Sequence, residues 1–419
     1  MSFSLVTLVM TVSQRRVLWV CLCTMALVYG QMSASVQNKS SLAHTDPLNL
    51  DPLVKDAYQH LYQLDYDGAI SRFEVVLTIH PQDPIAFDYL QMATIMRELY
   101  HQDLLDTTYY AHDSFLTSKR NVPVSTETRQ RIEYLTEHAI SIADRQIQSN
   151  PQDANAYFAR GYARGMHAAF ITLVDHSYVT AARQGLESRN DSEHVLRIDA
   201  DYVDAKMAIG IQQFAVASLP RILRIMVGIA GLNGSRERGL ALLREAAAHG
   251  TVTSVESRTV LSLFLRHDAR YAEALVVQRG LAEQFPRNYL FRLEEANLIK
   301  DEGKGLQAIA VYKQVLTDAR KPGYFVDPRV QMAWFGLADT ERGQNEVAAA
   351  ANDYMEAARQ PKCSDWLRRR AELNAGEMFD LLHRRSEAIE QYKQAAAGGG
   401  DQSQADAARM YLKIPYQGR

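Results

Sequence analysis

LNAGEMFDLLHRRSEAIEQYKQAAA, residues Leu373–Ala397, is the stretch whose reading decides the fold. Gly376, Ala388, Tyr392 and Ala395 set small and aromatic side chains at offsets that return elsewhere in the chain. The segment therefore reads as two helices that approach closely at small residues, with a turn at His383–Arg385. A hairpin this short cannot bury its apolar face alone, so similar hairpins must stack on both sides of it.

Working back from it, Leu261–Arg279, Ala296–Val315 and Ala333–Ala357 each give two further amphipathic helices. Their turn signals are Asp268-Ala269-Arg270, Gly303-Lys304-Gly305 and Gly343-Gln344-Asn345. A spacing of twelve joins Ala69 to Pro81, Ala139 to Pro151 and Ala274 to Pro286, too regular for chance. The first helix begins at Asp51-Pro52, with proline in its first turn. Phe87–Tyr110 reads as a helix followed by an irregular connection through Val122 and Pro123. Ala154–Gly165 opens another hairpin, whose return helix starts near Ala181 and is broken by a polar loop at Glu187–His194. An apolar stretch then carries the next repeat far past the expected turn, through Pro220, to the Gly231–Gly234 turn. After Leu373–Ala397 comes a last helix, Ser403–Leu412, with Asp406, Arg409 and Lys413 as a polar capping face.

The 47% hydrophobic content of the 419 residues is spread evenly with no Pro/Gly/Ser linker, which favours one array over separate domains. The amino terminus differs. Arg15 and Arg16 precede an apolar run, Val17–Tyr29, and small and polar residues follow, which is the order of a secretory signal. The run falls short of the roughly 20 apolar residues a spanning helix needs, so cleavage is expected rather than anchoring. Met10 would give that signal its usual charged start. Val20 and Leu22 are wrong for a lipoprotein signal, and Cys21 and Cys23 lie inside the run, leaving Cys363 alone in the mature chain. No internal disulfide can form. The formal net charge of −3 becomes more negative on cleavage, which argues against nucleic acid as partner. The expected divisions are a signal at 1–30, a flexible lead-in at 31–50, irregular repeats at 51–250 with an apolar insertion at 211–234, regular repeats at 251–400, and a capping helix and tail at 401–419.

Gly376, Ala388, Tyr392 and Ala395, and again Ala296, Ala308, Tyr312 and Val315 with Gly303 in the turn, resemble the tetratricopeptide repeat. The resemblance implies an all-α, right-handed superhelical solenoid with an enlarged central repeat and a capping helix. It also implies that the first helix of each hairpin lines a concave groove for a peptide or partner protein. In that register the groove would expose Arg266, Asn297, Lys300, Arg370, Glu377 and Asp380. The Lys/Asn pattern with which chaperone-binding members grip a terminal carboxylate is not reproduced. Residues 218–247 resemble, locally, part of the inclusion-body clearance family, and no function is carried over from that.

Little in the chain carries chemistry. It has no phosphate loop, no His-Glu-x-x-His pair and no cysteine pair at zinc spacing, so neither cofactor nor metal is expected. His112 and Asp113 are neighbours that would point about 100° apart on a helix, and Glu294 and Glu295 diverge likewise. Cys363 sits in a Pro-Lys-Cys-Ser loop with no nucleophile signature. The sequence thus reads as a non-catalytic, exported scaffold for another protein. A second reading is a membrane-associated assembly factor using the insertion at 211–232, with Arg221, Leu223, Arg224 and Met226 at the membrane or a partner. A third is an enzyme with its site near 100–125. The oligomeric state stays open.

Overall fold

The computed structural model describes residues 44–109, 120, 122–219, 233–397 and 399–418. The expected signal, the lead-in up to residue 43, His112, Asp113, and the core of the apolar insertion with Arg221, Leu223, Arg224 and Met226 lie outside the described residues. Thr45–Arg419 forms one compact unit, and every element below belongs to it.

Seventeen helices are described, and no strand beyond a lone antiparallel bridge between Arg120 and Asp401. The first half holds α1 (Pro52–Tyr62), α2 (Tyr66–Ile79), α3 (Pro84–His101), α4 (Thr126–Ser149), α5 (Ala154–Leu173), α6 (Tyr178–Ile198), α7 (Lys206–Ser218) and α8 (Arg236–His249). The second holds α9 (Ser254–His267), α10 (Tyr271–Gln284), α11 (Tyr289–Asp301), α12 (Gly305–Ala319), α13 (Gln331–Gly343), α14 (Val347–Arg359), α15 (Asp365–Leu381), α16 (Arg385–Ala396) and the capping α17 (Gln402–Lys413). Each helix packs against the one before it and the one after it, so the fold is a contiguous stack of hairpins.

The same stop ends most first helices. Two residues past the helix the backbone turns left-handed at Leu64, Asp103, Ala269, Gly303, Asn345 and His383. The next amide returns to a carbonyl in the last helical turn: Asp65 to His60, Leu104 to Leu99, Arg270 to Leu265, Lys304 to Ile299, Glu346 to Glu341 and Arg384 to Phe379. This satisfies carbonyls that the helix end would leave open, and it reverses the chain at once. Five of these turns lead directly into the second helix. The one after α3 leads instead into the long connection from Gln102 to Ser125.

Helices meet at small residues set against tyrosine rings. Ala308 and Ala388 are fully buried, as are the rings of Tyr312, Tyr354 and Tyr392. A Cβ placed on Gly376 would lie 2.5 Å from the ring of Tyr392, and one on Gly336 2.6 Å from that of Tyr312. Each of these tyrosines donates its hydroxyl to the first helix of its own hairpin: Tyr312 to Asn297, Tyr354 to Asp339 and Tyr392 to Asp380. The ring thus fills the seam while its polar end is satisfied.

Two sequence expectations are corrected. Glu187–His194 is not a loop but the middle of α6. Its polar residues are paired: Asp191 accepts from Arg160 and Arg164 of α5, each at 2.6 Å, and Arg189 bonds Glu193 at 2.7 Å along the helix. Ser188 and Asp191 also fit where Gly161 and Gly165 let the helices close up, so small size, not flexibility, explains their presence. Of the lead-in expected to be flexible at 31–50, residues 45–50 are structured. Asp46 caps a 3-10 turn over Pro47–Leu50, and Leu48 and Asn49 are buried, with Asn49 accepting from the hydroxyl of Tyr89.

Gly376→Val drives two methyl groups into the Tyr392 ring. The expected cost is about 1–3 kcal/mol from overpacking, read as a lower urea midpoint at unchanged m.

Candidate functional site

The first residues of the connection after α3 lie against the repeats. From residue 102 to residue 107 it crosses four successive first helices in reverse order. The indole Nε1 of Trp366, in α15, donates to the Gln102 carbonyl at 2.8 Å. At the start of α13, Gln331 Nε2 donates to Asp103 Oδ1 at 2.6 Å, and the Ser364 amide donates to Asp103 Oδ2 at 2.9 Å. Asn297 Nδ2, in α11, reaches both Asp106 oxygens at 3.3 and 3.4 Å. In α9, Arg266 Nη1 donates to Thr107 Oγ1 at 3.0 Å. Arg329 adds a bond from its guanidinium to the His101 carbonyl at 2.7 Å. Arg120 meets the same face, its guanidinium 5.1 Å over the ring of Trp366.

This arrangement corrects the expected exposure of the groove residues. Arg266 and Asn297 do lie on the first helices as expected, but both are buried, because residues 103–108 cover them. Glu377 and Asp380 are buried at the other end of the face, where the carboxy-terminal tail folds back. There the Tyr416 amide donates to Asp380 Oδ2 at 2.8 Å, and Arg342 bonds both the Tyr416 hydroxyl, at 2.9 Å, and Glu377, at 3.1 Å. Lys300 and Arg370 remain half-exposed. Arg370 lies 5.5 Å over the ring of Phe335. Sequence reading missed Gln331, Trp366, Arg329 and Ser364, which contact residues 101–103. The available clue was a turn signal after α3 with no second helix behind it for more than twenty residues.

The charge balance beneath the segment is uneven. Arg266, with its side chain 1% exposed, serves Asp301 at 2.7 Å and Glu294 at 3.1 Å, and Asp106 brings a third carboxylate to the same cation. Burial works against the Arg266 charge, but Glu294 and Asp301 outweigh it and hold the guanidinium charged. Burial first, and then Asp106, raises the carboxyl of Glu294. Asp103 is also raised by burial, with Arg329 and the bonds from Ser364 and Gln331 acting the other way.

The amino-terminal hairpin reaches the second half as well. Tyr62 donates to Glu256 Oε1 at 2.6 Å, its ring lies 5.3 Å from that of Phe285 in a tilted contact, and Asn288 bonds the Tyr62 carbonyl at 2.9 Å. Burial pushes the carboxyl of Glu256 up to about 7 and that of Asp46 up to about 6. Asp88, fully buried, is likewise raised by burial, and its two oxygens have no hydrogen-bond partner. Cys363 is buried and its thiol pushed up by the same effect, the reverse of what a nucleophile needs. Of the apolar insertion, Ile211–Ser218 belongs to α7, where Phe214 is buried and stacked 4.0 Å from Phe264. Among the described residues no helix is long and apolar enough to cross a membrane.

With the site in view, the hairpins themselves define the class: they are of tetratricopeptide type, by the left-handed stop, the small residues at the seam and the buried tyrosine of the second helix. No protein family and no curated protein matches the sequence. Among solved structures, a tetratricopeptide repeat protein from Parabacteroides merdae aligns at 13% identity over 77% of this chain and 99% of its own, with a TM-score of 0.34. Yeast Tom70 aligns at 11% identity over 84% of this chain and 86% of its own, with a TM-score of 0.39.

Arg266→Met leaves Glu294, Asp301 and Asp106 without their shared cation. A loss of about 3–5 kcal/mol is expected in chemical denaturation. The raised acids fix the pH response. Asp46 and Glu256 bind protons more tightly folded than unfolded, so their stabilisation is complete below the ordinary carboxylate range and is lost as pH rises through about 6 and about 7. His101, lowered by burial and Arg329, opposes this below its ordinary value. The lowered acids Asp56, Glu273, Asp318 and Glu387 act only in the more acidic range. The thermal midpoint should be higher at pH 5 than at pH 8, and Glu256→Gln should shrink the difference.

Proposed function

We propose that this chain is a non-catalytic scaffold of the bacterial cell envelope that binds another protein along the face shared by α9, α11, α13 and α15. One observation carries the reading. That face already holds a length of polypeptide, gripping backbone carbonyls and carboxylates with side-chain and amide donors. Such donors suit extended protein chain, whose carbonyls recur at every residue. The exported setting is supported by the arginine pair and short apolar run at the amino terminus. The buried, raised thiol of Cys363 supports the non-catalytic part. Lys300, one helical turn past Asn297, and Arg370 are the half-exposed positions through which a partner would meet this face.

The mature protein, used as bait in envelope extracts, should retain a stoichiometric protein partner in both high salt and mild detergent. The double variant Lys300→Glu/Arg370→Glu should lose it while keeping its helical circular dichroism. A partner lost in mild detergent alone would favour the membrane-associated reading, and one indifferent to the double variant would place binding elsewhere.

A further inference from the structure

We propose that residues 103–108 are a displaceable ligand held in cis, and that the face they cover accepts in their place a partner segment with two aspartates three residues apart around apolar residues. This rests on the reading of that face as protein-binding and adds what it recognises and how it is kept closed.

Three features of the segment lead there. The first is direction: in the bonds from Arg266, Asn297, Arg329, Gln331, Ser364 and Trp366 the repeats donate and the segment accepts, and against these stands the Thr107 hydroxyl, which donates to Glu294. A face built of donors selects carboxylates and free carbonyls, and Asp103 and Asp106 supply the carboxylates here. Leu104, between them, is buried, so the motif read by the face is acid, apolar pair, acid.

The second is that the segment beyond Leu104 is not needed to end its own helix. The reversal after α3 is complete at Asp103 and Leu104, as it is at the equivalent turns that lead directly into a second helix. Helix connections in such stacks run to about 2–8 residues, and this one continues to Ser125. Its first part, residues 102–107, lies against α9, α11, α13 and α15.

The third is an uneven grip. Around Asp103 the bonds are short, 2.6 to 2.9 Å; Thr107 is held at 3.0 Å, and Asp106 and Thr108 at 3.3 to 3.4 Å. Asp106 also faces Glu294 across the single cation Arg266. The segment is thus anchored at its amino-terminal end and loosely held at the other, the form of a strap that peels from residue 108 towards residue 103. A tethered occupant acts at an effective concentration in the millimolar range, so it masks the face from a free segment of equal chemistry.

The test uses the mature protein and, as probe, a fluorescein-labelled peptide of residues 99–108, LYHQDLLDTT, added in trans. Asp103→Gly removes the Asp103 carboxylate and its bonds from Gln331 and Ser364 yet keeps a residue at ease with the left-handed backbone, so the turn survives. Anisotropy should show the probe binding this variant at least about tenfold more tightly than the wild type, two hydrogen bonds having been removed from the competitor. A probe with both aspartates changed to alanine should not bind. If Asp103→Gly fails to fold, the wild type is read by hydrogen exchange: saturating probe should speed exchange of the Leu105–Thr108 amides about tenfold as the strap lifts. A folded variant that binds the probe no better than the wild type, equal binding of the alanine probe, or unchanged exchange at saturation would each overturn the proposal. A partner captured from envelope extract that leaves exchange at 105–108 unchanged would overturn the strap alone and leave the scaffold reading standing.

Discussion

The whole molecule depends on the contact between a small residue on one helix and a tyrosine ring on its neighbour. Short helices of this kind have too little apolar area to be stable singly, and the fold works because each seam is shared by the hairpins on either side. Gly376 and Gly336 let the rings of Tyr392 and Tyr312 come to touching distance of the backbone. These rings and that of Tyr354 carry hydroxyls that must be satisfied, and Tyr312, Tyr354 and Tyr392 find Asn297, Asp339 and Asp380 on first helices. Packing and polar satisfaction are therefore set by one residue per hairpin. This also fixes where the first helices point their remaining side chains.

Those side chains define the functional face. Asn297 is oriented from behind by Tyr312 and so presents its amide forwards to Asp106. Asp380 is held by Tyr392 and Arg385 and accepts the tail amide of Tyr416. The face is filled at both ends by the chain itself, residues 101–108 near Arg266 and Trp366 and residues near Tyr416 at Arg342. Buried acids gather where these pieces meet, which is why Asp103, Glu294 and Glu377 are all raised by burial.

The regular hairpins of the second half could be read from sequence because their signal is local: Gly303, Asn345 and His383 mark turns, and Ala308 and Ala388 mark seams within a dozen residues of them. The helix through Glu187–His194 was misread because its polarity is answered by Arg160 and Arg164, a full helix away, and no local rule registers that. The groove was legible only as a register. That Arg266 and Asn297 lie on it followed from repeat spacing, but that residues 103–108 cover them depends on contacts across more than 150 positions, which leave no periodic trace. Trp366 and Gln331 gave no warning for the same reason, as each stands where a first helix begins and nothing nearby marks its partner.

The clasp between Tyr62 and the Glu256, Phe285 and Asn288 region bears on how the chain must be made. Stacked repeats ordinarily consolidate one after another from whichever end appears first, because each needs only its neighbour. Here the first hairpin and the segment after α3 complete their contacts only when residues some two hundred positions later have emerged. At roughly 5–20 residues per second of synthesis, that is a wait of about ten to forty seconds with apolar and acidic surface uncovered. The molecule gains a single cooperative body where a simple stack would fray, and it takes on a vulnerable interval during biosynthesis in return.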